Sequence, residues 1–184
     1  MLLHEYSSPC GTLLLGVGGG SLYLCDWAAK GRADKTLKRI RRELPSCDWQ
    51  DDSAVMDMAV RQLDEYFSGM RRDFNLPLKP VGTEFQLKVW EALATIPYGD
   101  RMSYKTVADN ILRPTAARAV AGAVGANALS ILIPCHRVIA SDGTSGGYAG
   151  GLDAKRFLLH LESQGSYFLH QKKIIVCENT RYRM

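Results

Sequence analysis

The residues of this chain best suited to chemistry are Cys135 and His136. They sit in Pro134-Cys135-His136-Arg137-Val138, behind the apolar run Ile131-Leu132-Ile133. A thiol beside an imidazole pairs a nucleophile with a proton acceptor. The thiolate is the reactive form, and a neighbouring base or positive charge promotes it. A cysteine also falls beside a histidine by chance, and in an apolar segment its ordinary role is that of an inert core residue. Taken alone, the dipeptide favours that second reading. The decision rests on what other elements deliver to the same place.

Downstream, Gly143 to Gly151 form a glycine-rich loop with one aromatic, Tyr148. It lacks the Gly-Lys-Ser/Thr ending of a nucleotide-binding loop, which argues against a nucleoside triphosphate. Asp153 is a candidate cap for a last helix carrying Phe157, Leu158 and Leu161, with Glu162 near its end. Beyond Gly165, Ile174-Ile175-Val176 read as a short strand or docking segment. Upstream, Thr83-Glu84-Phe85-Gln86 fits a capping box for a helix running through Trp90 and Leu93 to Ile96. Ser103 caps a short helix to about Ile111, and Pro114-Thr115 opens another over Ala116 to Asn127. Two short helices joined by a tight turn are a helix-turn-helix candidate.

The second of those helices is built from small residues, with Arg118 its one charge. Small side chains let a helix enter a groove where an arginine reaches bases or phosphates. A tightly packed internal helix with one solvated arginine fits the same residues equally well.

The N-terminal part reads differently. Glu5 to Trp27 is β structure: Ser8-Pro9 starts a strand, Thr12 to Val17 another, Gly18-Gly19-Gly20 turns, and Ser21 to Trp27 follows. Lys30 to Arg42 carries seven Lys or Arg residues, an exposed segment or helix whose basic face is solvated. Ser53 to Phe67 has helical apolar spacing with Gly69 as its stop, and Phe74 to Pro80 is an extended connector. The division is residues 1–80, 81–165 and a tail, 166–184.

Composition bounds the rest. The 184 residues include 46% hydrophobic and 23% charged, ordinary for a globular protein with a real core. A net charge of +4 permits a nucleic-acid partner without requiring one. No run approaches the roughly twenty apolar residues that span a bilayer. The N-terminus lacks the features of a secretory signal, so the expected location is the cytoplasm, or the nucleus in a cell that has one. Five scattered cysteines suit a reducing compartment and form no Cys-x-x-Cys pair. A site from His4, Cys10, Cys25 and Cys47 is the one metal arrangement to weigh against dispersed thiols, and no metal is expected.

Ile131 to Ile139, Gly146-Gly147-Tyr148-Ala149-Gly150-Gly151 and Lys155 to Glu162 together resemble the 6-O-alkylguanine-DNA alkyltransferases, also called methylated-DNA–protein-cysteine methyltransferases. Phe85, Trp90, Pro97-Tyr98-Gly99, Ser103-Tyr104 and Ala116 to Val120 follow the same family in the same order. The close likeness spans about Thr83 to Ser163, with a weaker one at the Ser8-Pro9-x-Gly11 hairpin.

The resemblance implies an α/β (α+β) protein. It would have a small N-terminal sheet-and-helix domain of ribonuclease H-like type and a helical, winged-helix-like C-terminal domain. It implies an enzyme of DNA repair that flips a 6-O-alkylguanine out of duplex DNA and moves the alkyl group irreversibly to Cys135. Extrusion costs a few kcal/mol, less for a poorly pairing base. His136, oriented by Glu162, would take the thiol proton through a water; Tyr104 would serve the leaving ring nitrogen, and Asn127 would hold the turn. Arg118 would fill the vacated stack with its helix in the minor groove. Lys105, Ser141 and Ser103 would meet the DNA backbone. Tyr148, Ala149, Lys155 and Arg137 would form the pocket, with Arg137 ordering the turn. The reaction needs no cofactor and consumes the protein, a monomer with no membrane partner. Departures are Ala128, Leu129 and Ser130, where some members carry prolines, and Ala149, where some carry serine; both imply a roomier or less polar pocket.

Three rivals stand beside this. A non-catalytic sensor of alkylated DNA would carry tryptophan at the nucleophile position, and Cys135 speaks against it. A sequence-specific regulator would need several base-reading side chains on the Arg118 helix. A Cys-His thiol hydrolase would turn over repeatedly.

Overall fold

The computed structural model describes residues 1–29, 31–43 and 53–178. Its N-terminal part is an antiparallel sheet in the order β1 (Leu2–Ser8), β2 (Gly11–Gly18), β3 (Ser21–Trp27), with helices α1 (Arg32–Glu43) and α2 (Ser53–Phe67). Leu13, Leu15 and Val17 of central β2 are all buried, the period of two that a strand imposes. The register sets Leu13 opposite Tyr6 on one side and Trp27 on the other. On α2, Met56, Ala59, Leu63 and Tyr66 form the buried stripe that meets the sheet. α1 packs Leu37 and Ile40 against Tyr23 and Leu24.

Ser8-Pro9 ends β1 where the sequence suggested that it starts a strand. Pro9 has no N–H for the ladder, so it falls in the turn, where the Ser8 hydroxyl accepts from Cys10 N at 3.3 Å. The connector behaves as expected. Leu22 N donates to Pro77 O and Lys79 N to Leu22 O, laying Leu78 alongside β3.

The C-terminal part packs α3 (Glu84–Ala94), α4 (Tyr104–Asn110) and α5 (Ala117–Gly125) against one another, the last two joined as a helix-turn-helix. Thr83 and Gln86 make both halves of the capping box, and Ser103 caps α4 by accepting from Thr106 N. Strands β4 (Met102–Ser103) and β5 (Val138–Ile139) pair in parallel, tying the start of α4 to the segment after Cys135.

Helix α6 (Gly151–Glu178) corrects two expectations. It begins at Gly151, so Asp153 stands inside its first turn, accepting from Arg156 at 3.2 Å, and is not the cap. It also runs through Ile174-Ile175-Val176, read above as a strand or docking segment. Gly165 costs a helix only about 1 kcal/mol relative to alanine, and no proline follows to stop it. One core joins the two parts, with Leu13, Trp27 and Tyr66 packed in the same cluster as Trp90, Leu129, Cys135 and Leu158.

Candidate active site

Asn127 builds the turn that presents Cys135. Its side chain donates to Ile133 O and accepts from Leu129 N, both at 3.0 Å, while Ile133 N reaches back to Leu129 O at 2.8 Å. Between these bonds Ile131 is forced to φ 73°, a region a β-branched residue rarely adopts. Strain of this kind, about 1–3 kcal/mol, persists only where surrounding bonds dictate it. Pro134 then forms an inverse γ-turn, with Cys135 N donating to Ile133 O at 2.7 Å, and a 3₁₀ turn over Cys135–Arg137 follows. β3 braces the wall from behind through Cys25 N to Ala128 O at 2.8 Å.

His136 and Glu162 are both fully buried and meet at 2.8 Å through Nε2 and Oε1. Glu162 collects four further bonds: Tyr66 Oη at 2.8 Å, Arg137 Nη2 and Nε each at 2.9 Å, and Gly99 N at 3.2 Å. Burial alone would raise its carboxyl, but the donors from His136 and Arg137 outweigh burial and hold it down at about 2. An ionised carboxylate only accepts, so His136 Nε2 must carry the proton and Nδ1 must offer its lone pair. That Nδ1 is buried and has no hydrogen-bond partner among the described residues. Burial lowers the imidazole below its ordinary value against the pull of Glu162, which keeps the ring neutral and able to accept.

Cys135 is 4% exposed. Burial pushes its thiol up; hydrogen bonds from Asn127 and Ser130 work the other way, and Asp26 adds to the rise. Tyr104, the first residue of α4, faces the glycine loop. A Cβ built at Gly146, which has φ 59°, would stand 2.8 Å from the Tyr104 hydroxyl, so this loop position admits only glycine. Burial and the nearby sulfur both raise the Tyr104 hydroxyl, which keeps it a proton donor.

Tyr148 packs edge-on against Trp27, with ring centroids 5.8 Å apart, and lies 6.4 Å from the His136 ring. Its hydroxyl is raised well above the usual value by burial, only partly offset by the Trp27 indole; neither group has a hydrogen bond of full geometry. Ala149 and Gly150 line a cleft of about 300 Å³ with Cys10, Thr12 and Trp27. Lys155 is fully buried and donates to Val138 O and Ser145 O, clasping the loop to the segment after Cys135. Arg137, besides gripping Glu162, donates to Ile96 O at 2.6 Å and stacks over Tyr98. Both cations therefore act on protein groups.

The remaining named residues lie on an outer face. α5 buries Val120, Ala123 and Val124, while Arg118, Ala119, Gly122 and Gly125 are exposed. Gly122 and Gly125 have no heavy atom within 4 Å of a built Cβ, so the small stripe opens outward and is not the packing side of an internal helix. Lys105 and Ser141 are exposed, and Ser103 is half-buried at its cap. The C-terminal carbonyls of this region are taken by α1: Arg32 donates to Gly125 O and Asn127 O, and Arg39 to Ala126 O at 2.9 Å. Two residues expected on a solvated basic face thus turn inward. Tyr66, Arg32 and Arg39 escape sequence reading because their partners lie 87 to 96 residues away. Cys47 lies outside the described residues, and among those described no three His, Cys, Asp or Glu side chains cluster as a metal site would require.

A buried thiol and an imidazole on one turn, with a helix-turn-helix beside them, mark a candidate cysteine-nucleophile site next to a motif common in DNA-binding proteins. Residues 1–80 match the model of the 6-O-methylguanine DNA methyltransferase ribonuclease-like domain, and residues 84–164 match that of its DNA-binding domain. The methylated-DNA–protein-cysteine methyltransferase of Methanosarcina barkeri is 48% identical over 155 residues, 84% of this chain and 92% of that protein. The same-named protein of Haemophilus influenzae is 42% identical over 160 residues, 85% and 83% of the two chains. A crystal structure of Mycobacterium tuberculosis OGT in complex with DNA superposes with a TM-score of 0.74 at 39% identity, covering 89% of this chain and 93% of that one. The chain belongs to the 6-O-methylguanine DNA methyltransferase family. Among the described residues no helix is long and apolar enough to cross a membrane.

Proposed function

We propose that this protein repairs DNA by taking the alkyl group of a 6-O-alkylguanine onto Cys135, once and irreversibly. The observation that carries the reading is the buried, unpartnered Nδ1 of His136, on a ring whose other nitrogen is fixed by Glu162. That nitrogen accepts the thiol proton through a water. The sulfur attacks the alkyl carbon, the S–C bond forms as the C–O bond breaks, and the guanine departs with the electron pair. Tyr104 donates to the departing base. One such donor is worth about 3 kcal/mol of barrier. The proton lost by sulfur leaves through His136, so atoms and charge balance. A thioether does not hydrolyse under mild conditions, so each molecule acts once; the DNA supplies the alkyl group and no cofactor takes part.

The outward stripe of α5 supports entry into the minor groove, with Arg118 inserted where the guanine leaves the stack and Lys105, Ser103 and Ser141 against the phosphates. On this reading the protein acts as a monomer.

The test is an oligonucleotide duplex carrying a radiolabelled methyl on the guanine oxygen. The expected result is about one label per protein, lost in Cys135→Ala. In Arg118→Ala, labelling should slow while Cys135 stays reactive to iodoacetamide. Binding without label would leave a sensor or regulator, and repeated turnover would leave a hydrolase.

A further inference from the structure

The N-terminal sheet delivers a carboxylate to the back of the Cys135 turn, and the chemistry above makes no use of it. Asp26 of β3 has no solvent exposure. Its Oδ1 accepts from Trp27 N at 2.9 Å and from Ser130 Oγ at 3.3 Å. Its Oδ2 lies 2.9 Å from Arg32 Nε and accepts from Thr36 Oγ1 at 3.4 Å. Ser130 is equally buried, in the wall between Asn127 and Cys135. A serine hydroxyl owns a single proton. Here that proton is directed at the Asp26 carboxylate, 3.3 Å away, and the same hydroxyl is among the groups whose hydrogen bonding favours the Cys135 thiolate.

We propose that Asp26 and Ser130 are positioning residues for Cys135: Asp26 holds the Ser130 hydroxyl proton while the nucleophile is a thiol, and the proton turns to the sulfur when the thiolate forms. The inference rests on Cys135 being the alkyl acceptor. When the thiol proton passes to His136, the Ser130 hydroxyl rotates away from Oδ1, which keeps its bond from Trp27 N and a second one from Arg32 Nε at 3.1 Å. The N-terminal domain thereby restrains the resting nucleophile without touching substrate. Other groups act on the same sulfur. Arg32 of α1 favours a thiolate there and Lys155 of α6 is itself held up by one, while a thiolate raises Cys25 of β3, Tyr104 of α4 and Tyr148 of the loop and so keeps them neutral; His136 is its neighbour in the turn. None of these shares a proton with both Asp26 and the sulfur, so the two substitutions below isolate the switch.

The experiment measures iodoacetamide alkylation of Cys135 against pH in the full chain, by mass spectrometry of its peptide, alongside label transfer from the methylated duplex. Ser130→Ala removes the donor, and the midpoint should rise by about one pH unit, a tenfold loss of rate below it. Ser130→Thr keeps the hydroxyl and should return it towards wild type. Asp26→Asn removes the competing charge, and the midpoint should fall with the rate rising several-fold. Opposite shifts are the signature, since simple loosening of the wall would move both variants the same way. If Asp26→Asn fails to fold, Asp26→Ser, which also removes the carboxylate, takes its place and should likewise lower the midpoint. Shifts in the same direction, or an unmoved midpoint, overturn the proposal while wild-type protein still takes up label. Absence of label in wild type would instead overturn the alkyl-acceptor reading.

Discussion

Glu162 shows how one side chain can serve both stability and chemistry. Five donors converge on it, from α2, the 97–99 turn and the Cys135 turn, and they hold it ionised in a fully buried position. Breaking such a pair strands its partner, here the buried Arg137 guanidinium, at about 3–5 kcal/mol. Glu162→Gln should therefore lower the melting temperature at pH 7 by roughly ten degrees, given about 2–4 °C per kcal/mol at this size. The penalty should shrink in acid. The folded carboxyl sits near 2 against an ordinary 4.5, so on acidification the unfolded chain takes the proton first. The stabilisation is whole above pH 4.5 and drains as pH falls towards 2, and wild type and variant should converge there. His136 adds to acid sensitivity with the same sign. Burial lowers its folded value below 6.5, so stability that is whole above 6.5 is lost as pH falls through the folded value. Melting curves from pH 7 to pH 3 check both statements, and a gap that stays constant with pH would refute the assignment of the charge to Glu162.

At the scale of elements, local signals were legible where a few consecutive residues decide the outcome. The capping box at Thr83 and Gln86, the Ser103 cap and the apolar stripe of α2 all formed as their side-chain chemistry dictates. Asp153 failed as a cap because Gly151, at φ 84°, already starts the helix and leaves the aspartate in its first turn. The inward turn of Arg32 and Arg39 was not legible, since it answers carbonyls at the far end of α5. The turn between α4 and α5 holds a further element-scale feature. Leu112 follows the Ile111 cap at φ 57° and is 87% exposed, with Arg113 N closing back to Ala108 O at 2.9 Å. This is the left-handed position after a helix where glycine is favoured. A leucine there costs about 1–2 kcal/mol of backbone strain, and glycine returns about 0.5–1 of that as chain entropy. Leu112→Gly should thus raise the melting temperature by roughly 2–4 °C. A fall would show that Leu112 makes contacts that outweigh its strain.

Across the whole molecule, the two parts share the candidate site as well as a core. Family resemblance made Cys135, His136 and Glu162 readable because they lie in one stretch of 28 residues. Tyr66, Asp26 and Ser130 were not, because their bonds join residues 96 and 104 apart and only the folded chain brings them together. Tyr66 is the direct test of that coupling. Its ring sits among Phe67, Phe74 and Tyr98, and its hydroxyl donates to Glu162 at 2.8 Å from the other domain. Tyr66→Phe keeps the ring packing and removes only the donor, a hydrogen bond to a charged group worth about 1.5–3 kcal/mol. The melting temperature should fall by roughly 3–10 °C. Affinity for duplex DNA should not change, since Arg118 and the open face of α5 lie on separate elements from Tyr66. Label transfer should slow, because Glu162 loses one of the bonds that fix the carboxylate holding the His136 ring. An unchanged melting temperature with slowed transfer would mean that Tyr66 tunes the carboxylate without joining the domains. Weakened DNA binding would mean that the N-terminal domain positions α5 through Tyr66 as well as through Arg32 and Arg39.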